Sequence, residues 1–276
     1  MAKLRAKLIV SDFDGTLITG RQQVPAAVKN AIERYVQSGG VFDVCTGRIL
    51  ASTLPQVRAL GLSGLVAACQ GTVIADINSG EIIRSGGLSF KDASSVCAAL
   101  EGAGAAVNVY SGDELYTGIP KDNEYLKIYE KITGIDAIHV DIPLSQYVMQ
   151  NGLTCQKVAS LCFPKDRERL YDMLRAEFDG RFDVTCSAKE LVEVSPAGDT
   201  KGFALKYIAA RYGIDISETV AVGDNLNDLS MIEAAGIGVA VGNADPALKR
   251  AAKFIAVTNE EGAVAQVINT FGYRYE

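Results

Sequence analysis

Residues 7–17 read Lys7-Leu8-Ile9-Val10-Ser11-Asp12-Phe13-Asp14-Gly15-Thr16-Leu17. The short unbroken apolar run Leu8 to Val10, closing on polar residues, predicts a buried strand. Asp12 and Asp14 then stand two residues apart at its carboxyl end. Two carboxylates so close, at the end of a buried strand, cost energy unless a cation or a substrate offsets them. Gly15 lets the backbone bend closely round whatever is held there. In an open parallel sheet, ligands collect beyond the carboxyl ends of the strands. This stretch therefore predicts a core strand and the edge where a site would form. Taken alone, it serves equally well as a turn whose aspartates cap local amides.

The neighbouring sequence continues the rhythm. A helical spacing of apolar residues at 28, 32, 35 and 36 stops at Gly39-Gly40. A strand at 41–47, a helical stretch from about 49 to 60 and a strand at 65–71 follow. Strand and helix alternating in this way predict a parallel sheet with right-handed crossovers. From about residue 84 the pattern changes: 105–118 reads as two strands joined at Ser111-Gly112-Asp113, a hairpin signal. A helix is expected around 122–132, a strand at 156–164, an amphipathic helix at 166–178, and a pair of strands within 181–196. The first rhythm then returns, with a helix at 201–212, a strand at 219–224, a helix at 226–235 and strands at 236–242 and 254–257. The expected fold class is α/β, a Rossmann-like parallel-sheet core interrupted by an inserted α+β domain. The core takes 1–83 and 191–276, and the insert takes 84–190.

Bulk properties narrow the function classes. A chain of 276 residues, 48% hydrophobic and 22% charged, is long enough for one large domain or two smaller ones. Its net charge of −6 speaks against nonspecific nucleic-acid binding, which needs a basic surface. No apolar stretch reaches the roughly 18 residues that would span a membrane, and the N-terminal segment reads as a buried strand, not a signal peptide. The six cysteines lack C-x-x-C spacing and His139 is the sole histidine, so a zinc site is not expected. A reducing cytoplasm is the simplest setting.

Three further clusters fall at strand ends or helix starts. Thr46-Gly47-Arg48 offers a hydroxyl and free amides to an anion. Lys201 sits in the opening turn of a helix. Gly223-Asp224-Asn225-Leu226-Asn227-Asp228 carries hard oxygen ligands suited to Mg²⁺. Each alone reads as a cap, a solvated lysine or an Asp-rich turn; together they share one sheet edge.

The four clusters, in this order and spacing from Leu8 to about Gly242, resemble the motifs of the haloacid dehalogenase superfamily, more narrowly its Cof-type branch with a large α/β cap. The resemblance implies a Rossmann-like core with a cap inserted between the second and third motifs. It implies that Asp12 attacks phosphorus to form an aspartyl-phosphate and that Asp14 is the general acid and base. Thr46, Gly47, Lys201 and Asn227 would hold phosphate. Mg²⁺ would be bound by Asp12, Asp14 (through its carbonyl) and Asp224, with Asp228 supporting. Arg48, Gln70 and Lys157 are the candidates to meet the substrate. Gln70-Gly71-Thr72 stands where the branch commonly has Asn-Gly-Ala. The expected activity is hydrolysis of a small phosphorylated metabolite, with a sugar phosphate foremost. The alternatives are a sugar-phosphate mutase or phosphotransferase on the same scaffold, and a noncatalytic phosphometabolite-binding protein.

Overall fold

Leu8, Ile9 and Val10 are fully buried, as a strand sandwiched between helices on both faces of a sheet requires. The computed structural model of the chain describes residues 3–178, 180–188 and 190–274. Its first strands are β1 (Lys3–Leu4), β2 (Leu8–Ser11), β3 (Val41–Cys45), β4 (Leu65–Ala68), β5 (Val73–Asp76) and β6 (Ile82–Ser85). Next come β7 (Val107–Ser111), β8 (Glu114–Thr117), β9 (Ala137–His139), β10 (Lys157–Leu161), β11 (Phe182–Ala188) and β12 (Leu191–Pro196). The last are β13 (Thr219–Gly223), β14 (Ile237–Ala240), β15 (Phe254–Ile255) and β16 (Tyr273–Arg274). Among the described residues these form an eight-stranded sheet ordered β15-β14-β13-β2-β3-β4-β5-β6, a six-stranded sheet ordered β11-β12-β10-β7-β8-β9, and the small ribbon β1-β16.

The run from β15 to β4 is parallel, as the alternation predicts. The antiparallel pair β5 and β6 extends it, through an alternating segment that closes on the turn Asn78-Ser79-Gly80. The strand expected over 65–71 ends at Ala68. Cys69 and Gln70 take the left-handed φ values 49° and 61°, which break the extended run and swing Gln70 across the sheet edge.

The second sheet pairs antiparallel except between β8 and β9. Its hairpin turns at Gly112-Asp113, with Ser111 opposite Glu114. Alternation along its strands sorts the two faces. Val109, Val158, Val192 and Val194 pack with the helices Phe90–Gly102, Leu144–Asn151 and Pro164–Glu177. Tyr110, Ala159 and Leu191, on the other face, join the core cluster of the first sheet. The insert is thus a two-layer cap whose bare sheet face looks toward the core.

Sheet membership moves the sequence boundaries. Ile82–Ser85 pairs in the first sheet and Leu191–Pro196 in the second, so a division at 83/84 and 190/191 cuts one strand from each. The second cut fell between the two strands of a single hairpin, where the composition does not change.

Cys45, Cys69, Cys97, Cys155 and Cys186 are buried free thiols, with Cys162 half-buried, in line with their role as small hydrophobes. His139 meets the Ile119 carbonyl at 2.9 Å. No helix among the described residues is long and apolar enough to cross a membrane.

Candidate active site

Register brings the sequence clusters together. Ser11 of β2 lies level with Val222 of β13 and Val44 of β3. Asp12 therefore leaves the sheet beside Gly223, with Thr46 and Asp224 one residue further along. The Asp12 amide extends the ladder by donating to the Val222 carbonyl at 2.8 Å.

Lys201 begins the helix Lys201–Arg211, which is capped by Thr200 accepting from the Phe203 amide. Its fully buried ammonium donates to Asp12 Oδ1 at 2.5 Å and Asp228 Oδ1 at 2.6 Å. Asp228 Oδ2 accepts from the Asp224 and Asn225 amides at 2.8 and 3.0 Å, which fixes the Asp224 loop. Thr16 Oγ1 donates to Asp224 Oδ1 at 3.0 Å. Gly15 is obligatory at this point: its φ is +75°, and a Cβ there would lie 2.5 Å from Asp224 Oδ2.

Lys201 pairs with two of three crowded carboxylates, and ligand atoms of Asp12, Asp224 and Asp228 all lie within 4.8 Å of one another. Burial raises Asp12 well above the carboxylate range; Lys201 opposes this, while Asp228 and Asp224 add to it. Burial, then Asp228, pushes Asp224 up to about 6. For Lys201, burial works against the charge, but Asp12 and Asp228 outweigh it and its pKa is raised. An all-oxygen, over-anionic cluster of this kind fits a hard divalent cation. Both Asp228 oxygens are occupied by the protein, which makes Asp12 and Asp224 the available ligands.

Asp14, on the turn above, receives a two-pronged contact from Arg48, Nε to Oδ2 at 2.7 Å and Nη2 to Oδ1 at 2.5 Å. The same guanidinium stands 5.2 Å from the Phe13 ring centroid and donates to Gln22 at 2.9 Å. Thr46 accepts from the Arg48 amide at 3.1 Å. A Cβ at Gly47 would meet Gln70 Nε2 at 2.6 Å.

Asp12, Asp14, Thr46, Gly47, Arg48, Lys157, Asp224 and Asn227 line one cavity of about 710 Å³ between core and cap. Lys201 and Asp228 lie beneath it. Gln70 stays out of its lining, with Nε2 donating to Glu193 at 2.8 Å and Oε1 accepting from Asn227 at 3.0 Å. Paired carboxylates at a sheet edge, a lysine behind them and a capped cavity above form an arrangement suited to nucleophilic attack on an electrophile held in that cavity.

Residues 9–268 match the family model of haloacid dehalogenase-like hydrolases. The chain belongs to the haloacid dehalogenase-like hydrolases. It is 30% identical to phosphatase YwpJ of Bacillus subtilis over 285 residues, covering 95% of this chain and 98% of that protein. It is 29% identical to the 5-amino-6-(5-phospho-D-ribitylamino)uracil phosphatase YwtE of the same organism, over 95% of this chain and 97% of the relative. A solved haloacid dehalogenase-like hydrolase from B. subtilis superposes with a TM-score of 0.83 at 27% identity, covering 95% of this chain and 99% of that one. Family membership makes the chain an enzyme of the phosphatase type.

In this haloacid dehalogenase-like hydrolase, the residue that sequence reasoning passed over is Glu193. It is buried on β12 opposite Ala159 of β10, diagonal to Lys157, with which it forms an ion pair. Lys157 Nζ also donates to the Gly47 carbonyl at 2.8 Å and lies 4.4 Å from the Tyr110 ring centroid. Burial alone would depress Lys157, but Glu193 and then Tyr129 outweigh it and its pKa is raised. Two cap side chains thus grip two core loops, at Gly47 and Gln70. Two opposite charges in otherwise apolar strands were the available signal. Thr16 was another omission, as was Asn243, whose amide donates to the Gly15 carbonyl at 2.8 Å.

Glu193→Ala is expected to cost about 3–5 kcal/mol of stability by leaving the Lys157 cation buried and unpaired. The double variant Lys157→Met/Glu193→Leu should recover at least half of that loss. Urea unfolding of both variants checks this; a single variant as stable as the parent would show the pair to be idle.

Proposed function

We propose that the chain is a Mg²⁺-dependent phosphohydrolase for a small phosphorylated metabolite, working through Asp12. The observation that carries this reading is Asp12 itself, at the end of β2, lining the cavity with Lys201 2.5 Å behind it. A carboxylate oxygen of Asp12 attacks phosphorus as the bond to the leaving oxygen breaks, giving an aspartyl-phosphate and splitting one hard displacement into two. Asp14 gives its proton to the leaving oxygen and then takes one from the attacking water, whose oxygen displaces the Asp12 carboxylate and yields inorganic phosphate. Arg48 holds both Asp14 oxygens in the resting site, so Asp14 takes up the proton it delivers from solvent as substrate entry opens one of those two contacts. The Lys201 charge and the Thr46 hydroxyl and nearby amides steady the phosphoryl oxygens. A Mg²⁺ ion held by Asp12, Asp224 and the Asp14 carbonyl would offset the charge where two anions meet. The relative YwtE is named for a phosphorylated small molecule, which supports a substrate of that kind.

Phosphate release from p-nitrophenyl phosphate, present with Mg²⁺ and lost with a chelator, tests the reading. An isomeric phosphate ester formed from a sugar phosphate, with no inorganic phosphate, would replace it with a phosphotransferase.

Stability should report the cation independently. Asp224 titrates at about 6 in the fold, above its ordinary 3.8, and Asp12 is shifted the same way. A raised carboxyl stabilises the fold fully below its unfolded pKa and loses that contribution as pH rises through the folded pKa. Cation-free protein therefore weakens as pH climbs through about 6, and Mg²⁺ counters the exposed repulsion. Mg²⁺ is expected to raise Tm by about 3 °C or more near pH 7.5 and by much less near pH 5. Equal shifts at the two pH values would contradict a cation bound at this cluster.

A further inference from the structure

Cys69 and Gln70 are consecutive, neither is glycine, and both hold left-handed φ values, 49° and 61°. Such backbone costs energy and persists where its surroundings over-determine it. Gln70 is buried at the point where the loops of the site converge. Its amide donates to the Thr46 carbonyl at 3.0 Å, and the Cys69 amide donates to the Arg48 carbonyl at 2.8 Å. On the far side, Gly71 presses on the start of the helix Lys201–Arg211: a Cβ there would lie 2.6 Å from the Thr200 carbonyl oxygen. The strained turn thus seats the Gln70 side chain between Glu193 of the cap and Asn227 of the core.

The polarity of that side chain is forced. Glu193 gives Oε1 to Lys157, and its Oε2 accepts from Gln70 Nε2 at 2.8 Å. A carboxylate paired with a lysine only accepts, so the NH₂ end of Gln70 has to face it. The other end, Oε1, then needs a donor, which Asn227 supplies through Nδ2 at 3.0 Å. Turning the Asn227 amide over would set two oxygens against each other. Asn227 Oδ1 is buried without a partner among the described residues, so it offers no competing anchor. Gln70 alone decides which way this amide faces.

An NH₂ group carries two hydrogens. Gln70 takes one of those on Asn227, which leaves the second. Asn227 lines the cavity together with Asp12 and Thr46, where phosphoryl oxygens call for fixed donors. Glu193 stands on β12 of the cap sheet. The relay from Glu193 through Gln70 to Asn227 is therefore complete only while the cap is seated on the core.

We propose that Gln70 is a positioning residue for phosphoryl transfer: taking its polarity from Glu193 of the seated cap, it turns the Asn227 amide so that one N–H meets the phosphoryl group. The inference rests on the phosphohydrolase reading above. It moves Gln70 from meeting the substrate, as in the sequence reading, to orienting a residue that does.

The test is a double-variant cycle on the full chain with Mg²⁺, read as kcat and KM for p-nitrophenyl phosphate. Gln70→Met keeps the length of the side chain and removes its amide. It is expected to lower kcat by at least about tenfold, with KM changed by less than about threefold. Asn227→Ala should lower kcat by as much or more. The double variant should fall within about twofold of Asn227→Ala alone, because a residue that acts through Asn227 has nothing left to orient. A loss of folded protein would instead multiply with the loss from Asn227→Ala. Gln70→Asn carries the same cycle at less risk to folding, since asparagine tolerates a left-handed φ but is one methylene too short to reach both partners. Losses that multiply would overturn the inference and assign Gln70 to packing. So would a Gln70→Asn or Asn227→Ala variant with the parent's kcat. Turnover by the parent keeps the hydrolase reading standing in each of these cases; a parent without turnover sinks both.

Discussion

Asp12→Asn is expected to lower kcat by at least about 10⁴-fold while leaving the unfolding temperature unchanged or higher. The two halves of this expectation have one origin. The amide keeps the shape of the carboxylate, so the Asp12 side chain still fits between β2 and the helix that begins at Lys201. It cannot form an acyl phosphate at useful rates, and that removes the covalent step. Burial raises the Asp12 carboxyl, and the charges of Asp228 and Asp224 raise it further against the opposing pull of Lys201. Neutralising it relieves that repulsion, and Lys201 retains its 2.6 Å contact with Asp228. Carboxylates crowded in this way trade stability for reactivity. Turnover of p-nitrophenyl phosphate and a thermal melt of the same variant decide the matter. Retained turnover would remove Asp12 as the nucleophile, and a large fall in Tm would show that its role is structural.

The core strands were legible because each apolar run ends in residues that cannot stay in a strand. Leu8 to Val10 runs into Asp12, Val222 into Gly223-Asp224, and Val44 into Thr46-Gly47. A parallel register then delivers those ends to one edge without any long-range information. The antiparallel extension β5-β6 was not read, since its short strands lack the flanking helices that mark a parallel unit. The helices Phe90–Gly102 and Leu144–Asn151 lie in the cap, where the segments between the strands were not assigned. Gln70 illustrates a local limit: nothing in its residue type forecasts a left-handed φ of 61°. That conformation is held by tertiary bonds to Glu193 and Asn227.

The candidate site divides along the same line. Residues at strand ends, such as Asp12 and Asp224, announce themselves by what they interrupt. Glu193 does not, because alternation on β12 would place any residue there on the face toward the core, and only the diagonal pairing with Lys157 reveals why it is charged. Register between β10 and β12 is a property of the folded sheet. The exposed apolar stripe Tyr125, Ile128 and Ile132 on the cap helix Glu124–Thr133 shows the same limit from the other side. Its periodicity predicts an amphipathic helix but not whether the apolar face meets protein or an open cavity.

Lys201→Met is expected to produce the second large effect, a loss of about 3–5 kcal/mol of stability together with a fall in kcat of at least about 10²-fold. The side chain of Lys201 is wholly buried, and its two partners, Asp12 and Asp228, are themselves buried. Without the cation both carboxylates face each other in a site that already raises Asp12. Asp12 then takes up a proton at a still higher pH, and the fraction able to attack phosphorus falls. Activity that survives should rise with pH over a range shifted upward from the parent's. Arginine is a poor substitute, because the wholly buried ammonium sits 2.5 Å from Asp12 and 2.6 Å from Asp228, a fit that the longer, planar guanidinium does not reproduce. Adding Asp228→Asn to Lys201→Met should restore part of the stability by removing one of the two stranded charges. It should not restore turnover, because the cation proposed to steady the phosphoryl oxygens is still missing. Recovery of both properties together would mean that Lys201 acts only by balancing Asp228; recovery of stability alone would assign it to the chemistry at Asp12.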